Sequence, residues 1–174
     1  CKSGDYHLCK IDFQGMGMSI NGGMAEQILV PEECLVSLNK KIPIQDACLV
    51  EPLAVALHGF IRTNTKSTHK VAVIGGGTIG MCAIAAAKYI GCEVDLYAKY
   101  DHQQEAGNKL GAKVLDGVYD RVVDCVATHE TLDLSAQSAK PGSWIILLGI
   151  PLAGINLPGL KIIMNEVKIF PSIM

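Results

Sequence analysis

Residues 70–91 read KVAVIGGGTIGMCAIAAAKYIG, and within them Gly75, Gly77 and Gly80 fall in the pattern G-x-G-x-x-G. No other stretch limits the fold as strongly. The glycines follow a run of apolar β-formers and open a stretch of small residues, so they stand where a buried strand turns into a helix. At such a junction the first glycine permits a tight turn, the second lets the backbone approach a ligand, and the third lets helix and strand pack closely. The helix N-terminus adds unpaired N–H groups and a partial positive charge, which suit a pyrophosphate. The stretch therefore predicts a dinucleotide-binding strand–turn–helix. A glycine turn kept only for packing and the glycine loop of a methyltransferase are the alternatives.

The residues after this motif repeat its texture. Apolar runs at 71–74, 93–98, 121–126, 144–148 and 167–173 read as buried strands. Helices are expected at 78–90, stopped by Gly91, at 102–110, stopped by Gly111, and at 130–139, before a Pro141-Gly142 turn. Strands alternating with helices make a parallel α/β sheet, doubly wound in the Rossmann manner. Between the short run at 113–115 and the strand at 121 lies only DGVYD, too little for a parallel crossover helix. The third strand is expected to be vestigial.

The first 45 residues or so differ. They are rich in Gly and Pro and carry short alternating runs, AEQILV and CLVSL, which predict loop-rich antiparallel β structure. EPLAVALHGFIRT then reads as a helix with Pro52 in its first turn. The polar RTNTKSTHK places the expected domain boundary at 64/65.

Bulk properties exclude some partners. A net charge of -2 and a pI near 6.2 give no basic surface for nucleic acid or an anionic membrane. No uncharged apolar stretch reaches the length of a membrane span. Seven scattered cysteines, an odd number, fit reduced thiols in a cytoplasm. Of these only Cys1 and Cys9 have a metal-like spacing, C-x7-C.

Six segments in order, CKSGDYHLC, GGMAEQILVP, LVEPLAVALHG, VAVIGGGTIGM, NKLGAKV and KPGSWIILLGIP, resemble the zinc-dependent medium-chain alcohol and polyol dehydrogenases such as sorbitol, butanediol and threonine dehydrogenases. The resemblance implies a GroES-like catalytic domain, here its second half over 1–64, followed by a Rossmann coenzyme domain over 65–174. It implies hydride transfer between a secondary alcohol or polyol and a nicotinamide, with zinc in the intact enzyme. Cys1 and Cys9 would be the last two of four structural zinc thiolates. Glu51 would approach the catalytic zinc or its water, although an acid before a helix also suits the helix dipole. The remaining zinc ligands would precede Cys1, so residues 1–174 alone are expected to turn over no alcohol. The coenzyme would lie against Gly75, Gly77, Thr78, Ile79 and Gly80 and, near the nicotinamide, Val126, Ala127, Leu148 and Gly149. Homodimers or homotetramers built on the edge strand VKIFPSI, and a cytoplasmic location, are further expectations. A zinc-free quinone or enoyl reductase and a non-enzymatic coenzyme-binding protein are the competing readings.

The second strand sets the expected coenzyme. It ends at Ala98, 18 residues past Gly80, where NAD-binding domains carry an acid for the ribose 2′-hydroxyl. Ala98 leaves room for a 2′-phosphate, and Lys99 with Tyr100 beside it can pair with one. NADP is expected in preference to NAD.

Overall fold

The computed structural model describes residue 8, residues 15–151 and residues 154–173, and divides the chain into two compact units, 1–47 and 48–174. In the first unit the described residues form a 3-10 turn at Glu32–Cys34 and an isolated bridge between Met16 and Ile20. The antiparallel strands expected there are not found among the described residues. A strand exists only through its ladder partner, and AEQILV and CLVSL find none; Leu29 and Val36 stay 98% and 82% exposed.

The second unit follows a 3-10 turn, Ile44–Leu49, that straddles the division. It opens with helix α1 (Val50–Arg62), so the sheet-bearing unit starts ahead of the expected boundary at 64/65. The reason is packing: α1 lies on α2 (Thr78–Ile90) and buries Ala56, Gly59 and Phe60. Together with the preceding turn, Ile44–Arg62 is long and apolar enough to cross a membrane by length and composition, at 19 residues and mean hydropathy 1.3. A single such segment, of which 17% is buried, does not by itself mark a membrane span.

A six-stranded parallel sheet carries the unit, in the order β3-β2-β1-β4-β5-β6. Its strands are β1 (Lys70–Ile74), β2 (Glu93–Tyr97), β3 (Lys113–Val114), β4 (Tyr119–Asp124), β5 (Ala139–Leu147) and β6 (Lys168–Pro171). Helices α3 (Asp101–Lys109), α4 (His129–Ser138) and α5 (Gly159–Met164) complete it. The apolar runs are continuous because both faces are covered. Val71 and Val73 enter one core with Phe60, Ile84, Leu96 and Ile146; Ala72 and Ile74 enter another with Val122, Leu132 and Leu147.

Most expected elements appear within a few residues of their predicted ends. Gly91 terminates α2 at φ 96°. The third strand has only two residues, pairs with β2 and reaches β4 without a helix. Two details differ from expectation. β5 begins at Ala139 and runs through Pro141-Gly142, with an irregular register opposite Tyr119 and Arg121. That segment is held to the sheet because Ala139 pairs with Tyr119 and the Gly142 N–H reaches the Asn165 carbonyl at 2.8 Å. Helix α5 was not expected, since GLKIIM has neither length nor periodicity to announce it.

Buried charge ties the central strands at the other end of the sheet. Lys70 Nζ lies 3.0 Å from Asp95 Oδ2, to which the Tyr119 hydroxyl donates at 2.8 Å. Lys70, Asp95 and Tyr119 come from β1, β2 and β4, so this cluster reports their register.

Candidate functional site

Connections from β1 and β4 leave the sheet in opposite directions, and the crevice between their carboxyl ends is where open α/β sheets bind ligands. Here it is a cleft of about 770 Å³. One wall is the glycine loop. Gly75 has φ 103°, and a Cβ on it would strike Val126 Cγ2. A Cβ on Gly80 would fall on the Gly75 carbonyl oxygen, so α2 can start only where a glycine permits. Gly77 caps α2 without any side-chain hydrogen bond, and the first turn carries no acid. The backbone donors there face the cleft uncompensated, an anion cradle.

The second wall is the end of β2. Tyr97, Lys99 and Tyr100 line the cleft and are exposed, and Lys99 Nζ sits 5.7 Å from the Tyr100 ring centroid. Tyr100 in turn stacks on His102 at 5.7 Å. Ala98 does not line the cleft; it backs the glycine loop, 3.0 Å from where a Gly76 Cβ would stand.

The turn after β4 makes the third wall, with Cys125, Val126, Thr128, Glu130 and Thr131. Thr128 caps α4: its N–H donates to Thr131 Oγ1 at 2.9 Å, and its own hydroxyl accepts from the Thr131 N–H at 3.3 Å. Glu130 is held below the usual carboxylate range by its own backbone N–H and the Thr128 hydroxyl, with a smaller contribution from Lys99. Burial pushes the Cys125 thiol far up, so it remains a protonated, poor nucleophile.

The structure therefore brings Gly75, Gly77, Thr78, Ile79, Gly80, Lys99, Tyr100 and Val126 together on one cleft. Ala127 lines an adjoining pocket with Val126, Thr128, Ile150 and Asn156. Leu148 and Gly149 line neither; they lie beneath the turn, where a Gly149 Cβ would meet Val126 N at 2.6 Å. Sequence reasoning missed Gly76, Tyr97, Gln103, Cys125, Thr128, Glu130 and Thr131. The Thr-x-x-Thr spacing before α4 was a usable capping signal; the others become neighbours only through the fold.

Among the described residues no three His, Cys, Asp or Glu side chains come together to hold a metal. Glu51 is exposed in the first turn of α1, and Cys1 and Cys9 lie outside the described residues. The described residues alone do not supply the three protein ligands that a catalytic zinc takes.

Strand order, glycine loop and cleft define a Rossmann-like domain of the medium-chain dehydrogenase kind. The chain's homologues are zinc-type alcohol and polyol dehydrogenases. No protein-family model matches it. A zinc-type alcohol dehydrogenase-like protein of Haemophilus influenzae is 34% identical over 99% of this chain and 55% of its own length. The (R,R)-butanediol dehydrogenase of Saccharomyces cerevisiae is 34% identical over 67% of this chain and 31% of its own. A Sinorhizobium meliloti structure described as a zinc-binding dehydrogenase bound to NADP superimposes with a TM-score of 0.89 at 26% identity, covering 99% of this chain and 56% of that one. The chain spans between about a third and about half the length of the curated relatives it matches.

Proposed function

We propose that this chain carries the coenzyme domain of a dehydrogenase that moves a hydride between a secondary alcohol or polyol and NADP. The observation that carries the reading is the cleft at the α2 N-terminus, where Gly77 and Gly80 leave backbone donors open to a pyrophosphate and the first turn of α2 carries no acid. When bound, the coenzyme supplies the hydride acceptor or donor; the chain's own residues bind and orient it. Gly75, Gly77, Thr78, Ile79 and Gly80 hold the pyrophosphate, and Val126 and Ala127 bound the nicotinamide side, with Leu148 and Gly149 supporting that turn. Ala98 keeps the adenosine end free of an acid, so Lys99 and Tyr100 can meet a 2′-phosphate. The relative bound to NADP agrees with this choice.

Cys1 and Cys9 are proposed as thiolates of a structural zinc, and Glu51 as the acid nearest a catalytic one, each completed by further donors. A small alcohol, polyol or ketone is the proposed substrate, a homodimer or homotetramer the assembly, and the cytoplasm the location.

Titration of NADP and NAD against the protein and its Lys99→Ala variant tests the reading. NADP should bind about 10- to 100-fold tighter than NAD, from a charge-assisted bond of about 1.5 to 3 kcal/mol, and the variant should lose that margin. Equal affinities in the wild type, or a variant with undiminished NADP affinity, would refute the choice of coenzyme.

A further inference from the structure

The last residue of β4, Asp124, is a fully buried carboxylate. It does not line the cleft, yet it organises the wall. Oδ1 accepts from two successive backbone donors, the Val126 N–H at 2.9 Å and the Ala127 N–H at 2.8 Å. Oδ2 accepts from the Ser135 hydroxyl of α4 at 3.2 Å. The Asp124 carbonyl accepts from Leu148 N at 2.9 Å and Gly149 N at 3.0 Å, which brings the end of β5 under the same turn.

The turn needs this support. Ala127 has φ 60°, a left-handed conformation that a residue with a Cβ adopts at a penalty. Val126 packs against the one face of Gly75 where a Cβ would strike it, and the turn's backbone fills the space where a Gly149 Cβ would stand. The position of the glycine loop, the turn and the end of β5 is thus one arrangement. A buried carboxylate fits it because the two lone pairs of Oδ1 serve both N–H groups while Oδ2 accepts from Ser135 in α4.

We infer that Asp124 is a positioning residue of the coenzyme site: its carboxylate pins Val126 and Ala127 in the conformation that forms the cleft wall and so sets coenzyme affinity without touching the coenzyme. The inference rests on the coenzyme reading above for its second half. Its first half, the pinning of the turn, has its own readout.

The test uses the full chain with three variants and two measurements. Asp124→Ala removes the acceptor; Asp124→Asn retains an amide oxygen for both N–H groups; Ser135→Ala deletes the α4 contact alone. The first measurement is amide hydrogen exchange at Val126 and Ala127. In the wild type both amides should exchange as slowly as those of β4, although they lie in a turn, and Asp124→Ala should speed them about 100-fold or more. The second is the NADP dissociation constant. It should rise about tenfold or more in Asp124→Ala, stay within about threefold in Asp124→Asn, and remain unchanged in Ser135→Ala even if that variant melts earlier. A purely structural role would instead weaken binding in step with stability across all three variants. Fast exchange of both amides in the wild type overturns the inference even if Asp124→Ala does not fold. So does a folded Asp124→Ala with wild-type NADP affinity. If the wild type binds no dinucleotide, the coenzyme reading fails, and the exchange measurement still decides whether Asp124 holds the turn.

Discussion

At the scale of single residues, two groups near the start of the sheet make stability depend on pH. Burial, followed by the nearby Arg121 charge, lowers the His69 pKa below its usual 6.5, and its Nδ1 accepts the Lys66 N–H at 3.0 Å, a bond only the neutral ring can make. Burial pushes the Asp120 carboxyl up, but the Lys70 N–H at 2.8 Å and the Lys140 ammonium at 3.0 Å together outweigh it, and its pKa falls below 3.8. Both folded pKa values are depressed, so in both cases the unfolded chain takes the proton first. The stability each contributes is present above the unfolded value and is lost as pH falls through the folded one. Urea midpoints measured against pH should show a loss beginning near 6.5 that His69→Gln removes. A second loss, below 3.8, should be absent in Asp120→Asn. A His69→Gln profile superimposable on the wild type would contradict the first assignment. Neither effect was legible in the sequence, where His69 and Asp120 stand 51 positions apart.

Among elements, the strand–turn–helix from β1 to α2 was legible because every residue in it agrees on one structure. A β-branched run, a glycine turn, small helix residues and a terminal glycine leave no competing choice. Gly80→Ala tests how tight that agreement is. The added methyl falls on the Gly75 carbonyl oxygen, so α2 must move from β1; such overpacking costs about 1 to 3 kcal/mol. The variant should melt several degrees lower and bind NADP much more weakly, as read by calorimetry; normal binding would mean the loop has room that its geometry denies. The alternating runs of the first unit form no ladder among the described residues, because alternation specifies a face and not a partner. β6 poses the converse question: it ends the sheet, and its outer edge has no neighbour among the described residues. Unpaired N–H and C=O groups on such an edge invite a second copy. Light scattering on the intact protein should report a dimer or larger, and a monomer would remove the basis for edge pairing.

For the whole molecule, the structural and catalytic zinc ions proposed above predict separable effects in the full-length protein. Cys9→Ser should lower zinc content by about one ion and destabilise the fold. Glu51→Ala should impair turnover while leaving the structural zinc in place, as checked by metal analysis beside activity assays. Wild-type activity in Glu51→Ala would withdraw that residue from the site. By itself the sequence determined the α/β class, the sheet strands, the glycine loop and the absence of an acid at Ala98, because periodicity, turn chemistry and charge are local properties. Tertiary structure alone decided that α1 joins the sheet unit and that Glu130 and Thr131 share a cleft with Lys99. It also decided that Leu148 and Gly149 support the cleft instead of lining it, and that Asp124 turns inward to hold its wall. These are relations between chain segments many residues apart, set by strand order and packing, and no local pattern encodes which distant backbone a buried carboxylate will meet.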